Sequence, residues 1–256
     1  MRTNNLLTST ALTTSAVLAS SAALAQSGNV HNWTGWYGGL NLGGASTKLS
    51  HDVFVPGFLL SSNSGRDTGA IFGFQVGYNW QFTPQWVLGV EGDINYLRGE
   101  LANGFGATVV AGGGSEDFVG LQRTKLRWFS TIRGRFGYTW DRSFIYATGG
   151  LAIGSVTSSV NATARESDNG GDTTVFLGSY SATRLGWTVG AGWEQAFTSR
   201  ISGKLEYLHY DLGDASYNVI GTVTSGNGNG LPLLWPATAR FSGDIIRLGI
   251  NLKLTP

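Results

Sequence analysis

The sequence predicts an all-β protein, an eight-stranded antiparallel transmembrane β-barrel with short periplasmic turns and four long extracellular loops. Three observations carry that expectation. Apolar and polar residues alternate with period two in segment after segment, as in strands with two unlike faces. Tight turns and long connections alternate between those segments, as in bacterial barrels. Charged residues make up 13% of the 256 residues, about half the globular norm of roughly 25%, yet no run after Ala25 approaches the roughly 20 apolar residues of a transmembrane helix. A chain that meets lipid without such a helix must cross with strands.

The first stretch reads as an address. Arg2 opens it, Leu6 to Leu24 is apolar and small with interspersed Ser and Thr, and Ala23-Leu24-Ala25 gives a small-residue cleavage pattern. Residues 1–25 are therefore a secretory signal peptide cut between Ala25 and Gln26, leaving 26–256 as one barrel domain. The cut removes Arg2, so Lys+Arg falls from 17 to 16 and equals the 16 Asp+Glu. A neutral chain without a basic run excludes a nucleic-acid footprint. The absence of cysteine excludes thiolate metal sites and thiol catalysis.

The first strand runs from Trp36 to Gly44. In the second, Phe72, Phe74, Val76, Tyr78 and Trp80 oppose Ile71, Gly73, Gln75, Gly77 and Asn79. The turn at Phe82-Thr83-Pro84-Gln85 leads into the third, with Trp86, Leu88, Val90, Ile94 and Tyr96 against Gly89, Glu91, Asp93 and Asn95. The fourth, Leu126 to Trp140, sets Trp128, Ile132, Phe136, Tyr138 and Trp140 against Arg127, Thr131, Arg133, Arg135 and Gly137. Asp141-Arg142 turns the chain into the fifth, Ser143 to Val156. Thr183 to Trp193, Ile201 to Asp211 and Asp244 to Leu254 complete eight, an even number that leaves both termini on one side. The long connections, about 45–68, 99–125, 157–182 and 212–243, are rich in Gly, Ser, Asn and Thr and read as loops.

Alternation alone leaves open a soluble barrel that hides its apolar face around a ligand. Glycine gathers on the polar face, where a narrow lumen needs small neighbours. Charges of both signs share that face: Glu91, Asp93, Glu194 and Glu206 with Arg133, Arg135, Arg184, Lys204 and Arg247. An enclosed network requires such balance. Trp36, Trp80, Trp86, Trp140 and Trp193 sit at strand ends beside the short turns, the place of an interfacial aromatic girdle.

Four stretches resemble the small outer-membrane β-barrel family of outer-membrane immunogenic, or porin-like, proteins, an OmpA-type barrel without a periplasmic domain. They are Trp33-Thr34-Gly35-Trp36-Tyr37-Gly38-Gly39-Leu40-Asn41, Thr148-Gly149-Gly150-Leu151-Ala152-Ile153-Gly154, Gly186-Trp187-Thr188-Val189-Gly190-Ala191-Gly192-Trp193-Glu194 and Lys204-Leu205-Glu206-Tyr207-Leu208-His209-Tyr210-Asp211-Leu212-Gly213. The resemblance implies an outer-membrane location, surface-exposed loops, and roles in envelope integrity or host contact. Haem binding in some branches makes haem the one cofactor to consider. It implies no catalytic residues. Such barrels usually end on an aromatic residue read by the assembly machinery, whereas this chain ends Leu254-Thr255-Pro256, which bears on the efficiency of insertion.

The expected function is thus a structural and surface-interaction barrel, with outer-membrane lipid and lipopolysaccharide, the assembly machinery and loop-bound host or surface ligands as partners. A small-solute porin is the alternative, although eight strands enclose only enough space for side chains. Catalysis has little support. The histidines are His31, His51 and His209, and only His209 has a nearby acid in sequence, Asp211. Haem would in principle fall to His51 and His209. No His or carboxylate cluster shows metal-ligand spacing.

Overall fold

A computed structural model describes residues 31–55, 58–98, 101–111, 114–166, 173–225 and 233–255. The proposed signal peptide and its Ala25–Gln26 cleavage site lie outside the described residues. Among the described residues nine strands follow one another: β1 Gly35–Val55, β2 Phe58–Gln81, β3 Trp86–Arg98, β4 Leu101–Ala111, β5 Gly114–Trp140, β6 Ser143–Glu166, β7 Thr173–Ala196, β8 Ile201–Ser225 and β9 Leu233–Lys253. Neighbours pair antiparallel in the order β3-β2-β1-β9-β8-β7-β6-β5, and β3 pairs with β5 to close the ring. Eight strands therefore form the wall, which closes on itself where β3 pairs with β5, from Trp86–Tyr138 to Tyr96–Trp128. The ninth strand, β4, lies beside the upper half of β5.

The turns at the lower end are short, as the sequence predicts. Trp140 pairs with Ser143 across a two-residue loop whose Asp141 has φ 48°, a conformation that Asp tolerates better than most side chains. The upper connections differ from expectation. The segments read as loops are largely continuations of the strands: β1 and β2 stay paired up to Val55 and Phe58, β5 and β6 up to Glu116 and Glu166, and β6 and β7 up to Arg165 and Thr173. Continuing the ladder satisfies backbone groups, and the Thr and Val of these segments are good strand residues.

The two faces of the wall contrast sharply. Phe74 and Leu248 are each 64% exposed on the outside, while Arg133 and Arg247 are 1% exposed within. Trp36, Trp80, Trp86, Trp140 and Trp193 are all exposed at the lower rim. A second aromatic set, Tyr96, Trp187 and Tyr207, is exposed at the upper rim, where Trp128 pairs with Tyr96. On β3 the apolar band runs from Trp86 to Tyr96, the 9–11 residues a tilted strand needs to cross a bilayer.

Two glycines show why the lumen face is glycine-rich. A Cβ on Gly77 would run into the Tyr37 ring of the neighbouring strand, and one on Gly192 into the Tyr146 ring. In both cases ring and glycine are direct cross-strand partners. The missing side chain makes the space in which the ring lies flat against the wall.

Candidate functional site

The lumen is filled in three layers. At the lower mouth, residues 31–34 fold back over the opening. The His31 N–H donates to the Asp141 carbonyl at 3.0 Å, the Trp33 N–H to Gln81 Oε1 at 2.9 Å, and Lys253 Nζ to the Asn32 carbonyl at 2.9 Å. The Trp33 ring is buried against Phe144 at 5.4 Å, with Val87, Tyr146 and Ala196 around it. The His31 ring stands edge-on to Trp33 at 4.7 Å. Partial burial, then the charges of Lys253 and Arg142, hold its imidazole below the ordinary histidine value of 6.5. The folded cap thus favours neutral His31, and its stability is complete above that value and lost as pH falls through the lowered one. Acidification is expected to shift the indole NMR resonance of Trp33 in the detergent-solubilised barrel, and His31→Gln to remove that shift. An identical titration in the variant would assign the change to another group.

Above the cap lies the charged layer. Eight of the nine charges named from sequence meet there: Glu91 and Asp93 on β3, Arg133 and Arg135 on β5, Glu194 on β7, Lys204 and Glu206 on β8, and Arg247 on β9. The Arg133 guanidinium sits among three carboxylates, 2.5 Å from Glu91 Oε1, 3.1 Å from Asp93 Oδ2 and 3.1 Å from Glu206 Oε1. Arg247 reaches Asp93 at 2.8 Å and Glu206 at 2.6 Å. Lys204 Nζ donates to Glu91 at 2.8 Å, and Arg135 Nη2 to Glu194 at 2.7 Å. Four cations face four carboxylates, so the enclosed layer is neutral.

Neutral donors complete what the charges leave over. Tyr37 Oη donates to Glu91 at 2.8 Å, Tyr146 Oη to Glu206 at 2.8 Å and Thr131 Oγ1 to Asp93 at 2.7 Å. The Arg135 guanidinium lies 4.0 Å from the centre of the Tyr146 ring, where the ring's negative face attracts it. An amide relay from Asn41 to Gln75 to Asn251 ends on Glu194. All eight wall strands send a side chain into this layer. The residues not singled out from sequence, Tyr37, Gln75, Tyr146 and Asn251, share the parity of the charged ones. For the two tyrosines the legible signal was their opposition to glycine across the ladder.

Arg184 departs from expectation. It lies higher on β7, where the β7–β8 pairing breaks between Leu177 and Trp187, and its Nη2 donates to the Asp214 carbonyl on β8. A guanidinium there supplies a donor to a strand that has lost its ladder partner. Arg127 also differs, since it is exposed outside the lumen.

The third layer, toward the cell exterior, is apolar. Ile71, Phe129, Leu208, Tyr210, Leu212 and Ile245 are fully buried, with Val156, Ala162, Phe176, Ala215 and Phe241 continuing the cluster into the strand extensions. Phe129 and Tyr210 meet at 4.8 Å, and the Tyr210 hydroxyl lies 2.9 Å from Thr47 Oγ1.

The histidines are dispersed. His209 Nδ1 lies 2.9 Å from Asp244 Oδ1, and the Tyr207 hydroxyl donates to the same oxygen at 2.6 Å, on the outer face of the wall. The acid partner of His209 is thus Asp244, not Asp211, which lies nearer Arg240 at 4.0 Å. His51 is on β1, opposite Asn63 and Ala239, so His51 and His209 flank β9 from opposite sides.

Comparison with known proteins agrees with this architecture. Residues 11–227 match the outer membrane protein beta-barrel domain family. The 31 kDa outer-membrane immunogenic protein of Brucella melitensis is 36% identical over 192 residues, 72% of this chain and 73% of its own length. The 22 kDa outer membrane protein of Rhizobium leguminosarum bv. viciae is 34% identical over 190 residues, 73% and 68% of the two chains. Among solved structures, the outer membrane protein OprG of Pseudomonas aeruginosa is similar at 8% identity and a TM-score of 0.46, covering 89% of this chain and all of that one. With its closed eight-stranded wall and outward apolar band, and matched over most of its length, the chain belongs to the outer membrane protein β-barrel family and resides in the outer membrane of Gram-negative bacteria.

Proposed function

We propose that this protein is a closed, non-conducting barrel that supports the integrity of the outer membrane and holds its strand extensions where host or surface ligands meet them. The observation that carries the reading is the stacking of a neutral charged layer beneath an apolar one, both spanned by fully buried side chains. A solute would have to break ion pairs in the first and then desolvate in the second. Either step is costly in a low-dielectric interior.

The same filling leaves the lumen no role as a catalytic cleft or cofactor pocket, so we infer neither an enzymatic activity nor a resident cofactor. Haem has less support than surface contact, since His51 and His209 lie on strands at opposite sides of β9. The partners on this reading are outer-membrane lipid and lipopolysaccharide, the assembly machinery during insertion, and ligands at the extracellular hairpins. Planar-bilayer recording of the refolded barrel is the test. Bare-membrane current is expected at all voltages, and steady ion-selective steps would establish the porin reading instead.

A further inference from the structure

Two arginines of β5 form a stripe outside the lumen, and a single extra residue explains where they point. Below Phe129 the odd positions of β5 face inward, as Thr131, Arg133 and Arg135 show. Leu126 pairs with Val156 but Phe129 with Gly154, so Arg127 and Trp128 together oppose one residue of β6. This β-bulge reverses the parity of the strand above it. Leu126 consequently packs on the apolar layer, while Arg127 and Arg123 are exposed on the outer face. Lys125 occupies the ladder position between them, opposite Thr157.

The height of this stripe is fixed by its neighbours. Trp128, paired with Tyr96 of the upper aromatic set, lies immediately below Arg127. The guanidinium of Arg127 therefore stands at the level of the outer-leaflet headgroups, and Arg123 lies two pleat repeats farther out. Arg123 also borders an outward groove of about 580 Å³ whose lining includes Ser159, Asn161, Ser179 and Asn218 with Leu177. Hydroxyl and carboxamide groups beside an apolar side chain suit the hydroxyls and ring faces of a sugar, and arginine suits phosphate.

We propose that the outer face running from β5 to β8 is a binding site for a phosphorylated glycolipid of the outer leaflet, with phosphate on Arg127 and Arg123 and sugar in the adjoining groove. The site rests on the outer-membrane placement of the barrel and names which face of it the glycolipid takes. It is independent of whether the lumen conducts.

The test uses the full mature barrel refolded in phosphatidylcholine nanodiscs with one of three probes: a diphosphorylated lipid A-type glycolipid, its dephosphorylated form, or phosphatidylglycerol. Mass spectrometry after detergent extraction and washing measures the lipid retained. Diphosphorylated glycolipid should exceed both other probes by about tenfold or more, and Arg127→Gln and Arg123→Gln should each lower retention roughly fivefold. Arg142→Gln at the opposite rim should leave it unchanged. Heat-modifiable gel mobility identifies folded samples, and exposed Arg127→Gln alone suffices if Arg123→Gln does not fold. Equal retention of the dephosphorylated form, or wild-type retention by folded Arg127→Gln, would overturn the phosphate contact. Equal retention of phosphatidylglycerol would overturn the sugar groove.

Discussion

Arg133→Ala is expected to destabilise the folded barrel by about 3–5 kcal/mol, because it leaves three buried carboxylates to share the remaining cations. Glu91, Asp93 and Glu206 all lie within 3.1 Å of that guanidinium, and each wholly buried charge loses water it cannot recover. Glu91→Ala should cost a similar amount, since Arg133, Arg135 and Lys204 all meet that carboxylate. The double variant should cost clearly less than the sum, because removing one charge of each sign restores a neutral layer; a coupling of about 0.5–3 kcal/mol is the expected range for groups in one network. Urea unfolding in lipid vesicles, followed by gel mobility, measures all three. Additive losses would mean that the two residues act through separate partners, and a loss below about 1 kcal/mol for Arg133→Ala would mean that water reaches the layer. The exposed turn residue Arg142 serves as the control, since an exposed charge contributes little.

That this layer could be named from sequence follows from the strictness of period two. Once Trp86, Leu88 and Val90 are assigned to lipid, Glu91 and Asp93 have only the lumen to face, and the same step places Arg133, Arg135, Lys204, Glu206 and Arg247. Parity fails where the backbone gains a residue. Arg127 has the parity of Arg133 and yet points outward, because the bulge at Arg127–Trp128 resets the count, and nothing in Lys125-Leu126-Arg127-Trp128 announces a bulge. Arg184 has the correct parity but sits beside the break between β7 and β8, so depth along the strand, which parity does not report, separates it from the others.

The strand extensions were hidden for a different reason. Ala162 and Ala164 on β6, and Ala239 and Phe241 on β9, alternate with polar residues as the membrane segments do. Their inward residues are mostly small, so the contrast with Ser, Thr and Asn is weak beside that of Trp and Phe against Gly and Glu. Composition then suggests loops. The periplasmic turns were legible because a two-residue link such as Asp141-Arg142 leaves the chain little choice of path. Trp33 was visible only as part of a family-like motif, since four residues before β1 carry no periodicity to show that its ring turns inward.

Phe129→Ala probes the apolar layer as Arg133→Ala probes the charged one, and the two together separate stability from sealing. Phe129 is fully buried among Ile71, Leu208, Tyr210 and Ile245, at the centre of a cluster held by a closed wall that cannot collapse inward. Removing the ring should therefore leave most of its volume as a cavity and cost about 3–5 kcal/mol. An apolar void of that kind stays dry, and the charged layer beneath remains intact, so the variant should show no current in a planar bilayer despite its lower stability. Arg133→Ala should likewise stay closed, because the apolar layer still stands above it. If Phe129→Ala alone conducts, the charged layer is permeable and the apolar layer is the seal; if Arg133→Ala alone conducts, the roles are reversed. Closure of both single variants is the outcome that two seals in series require.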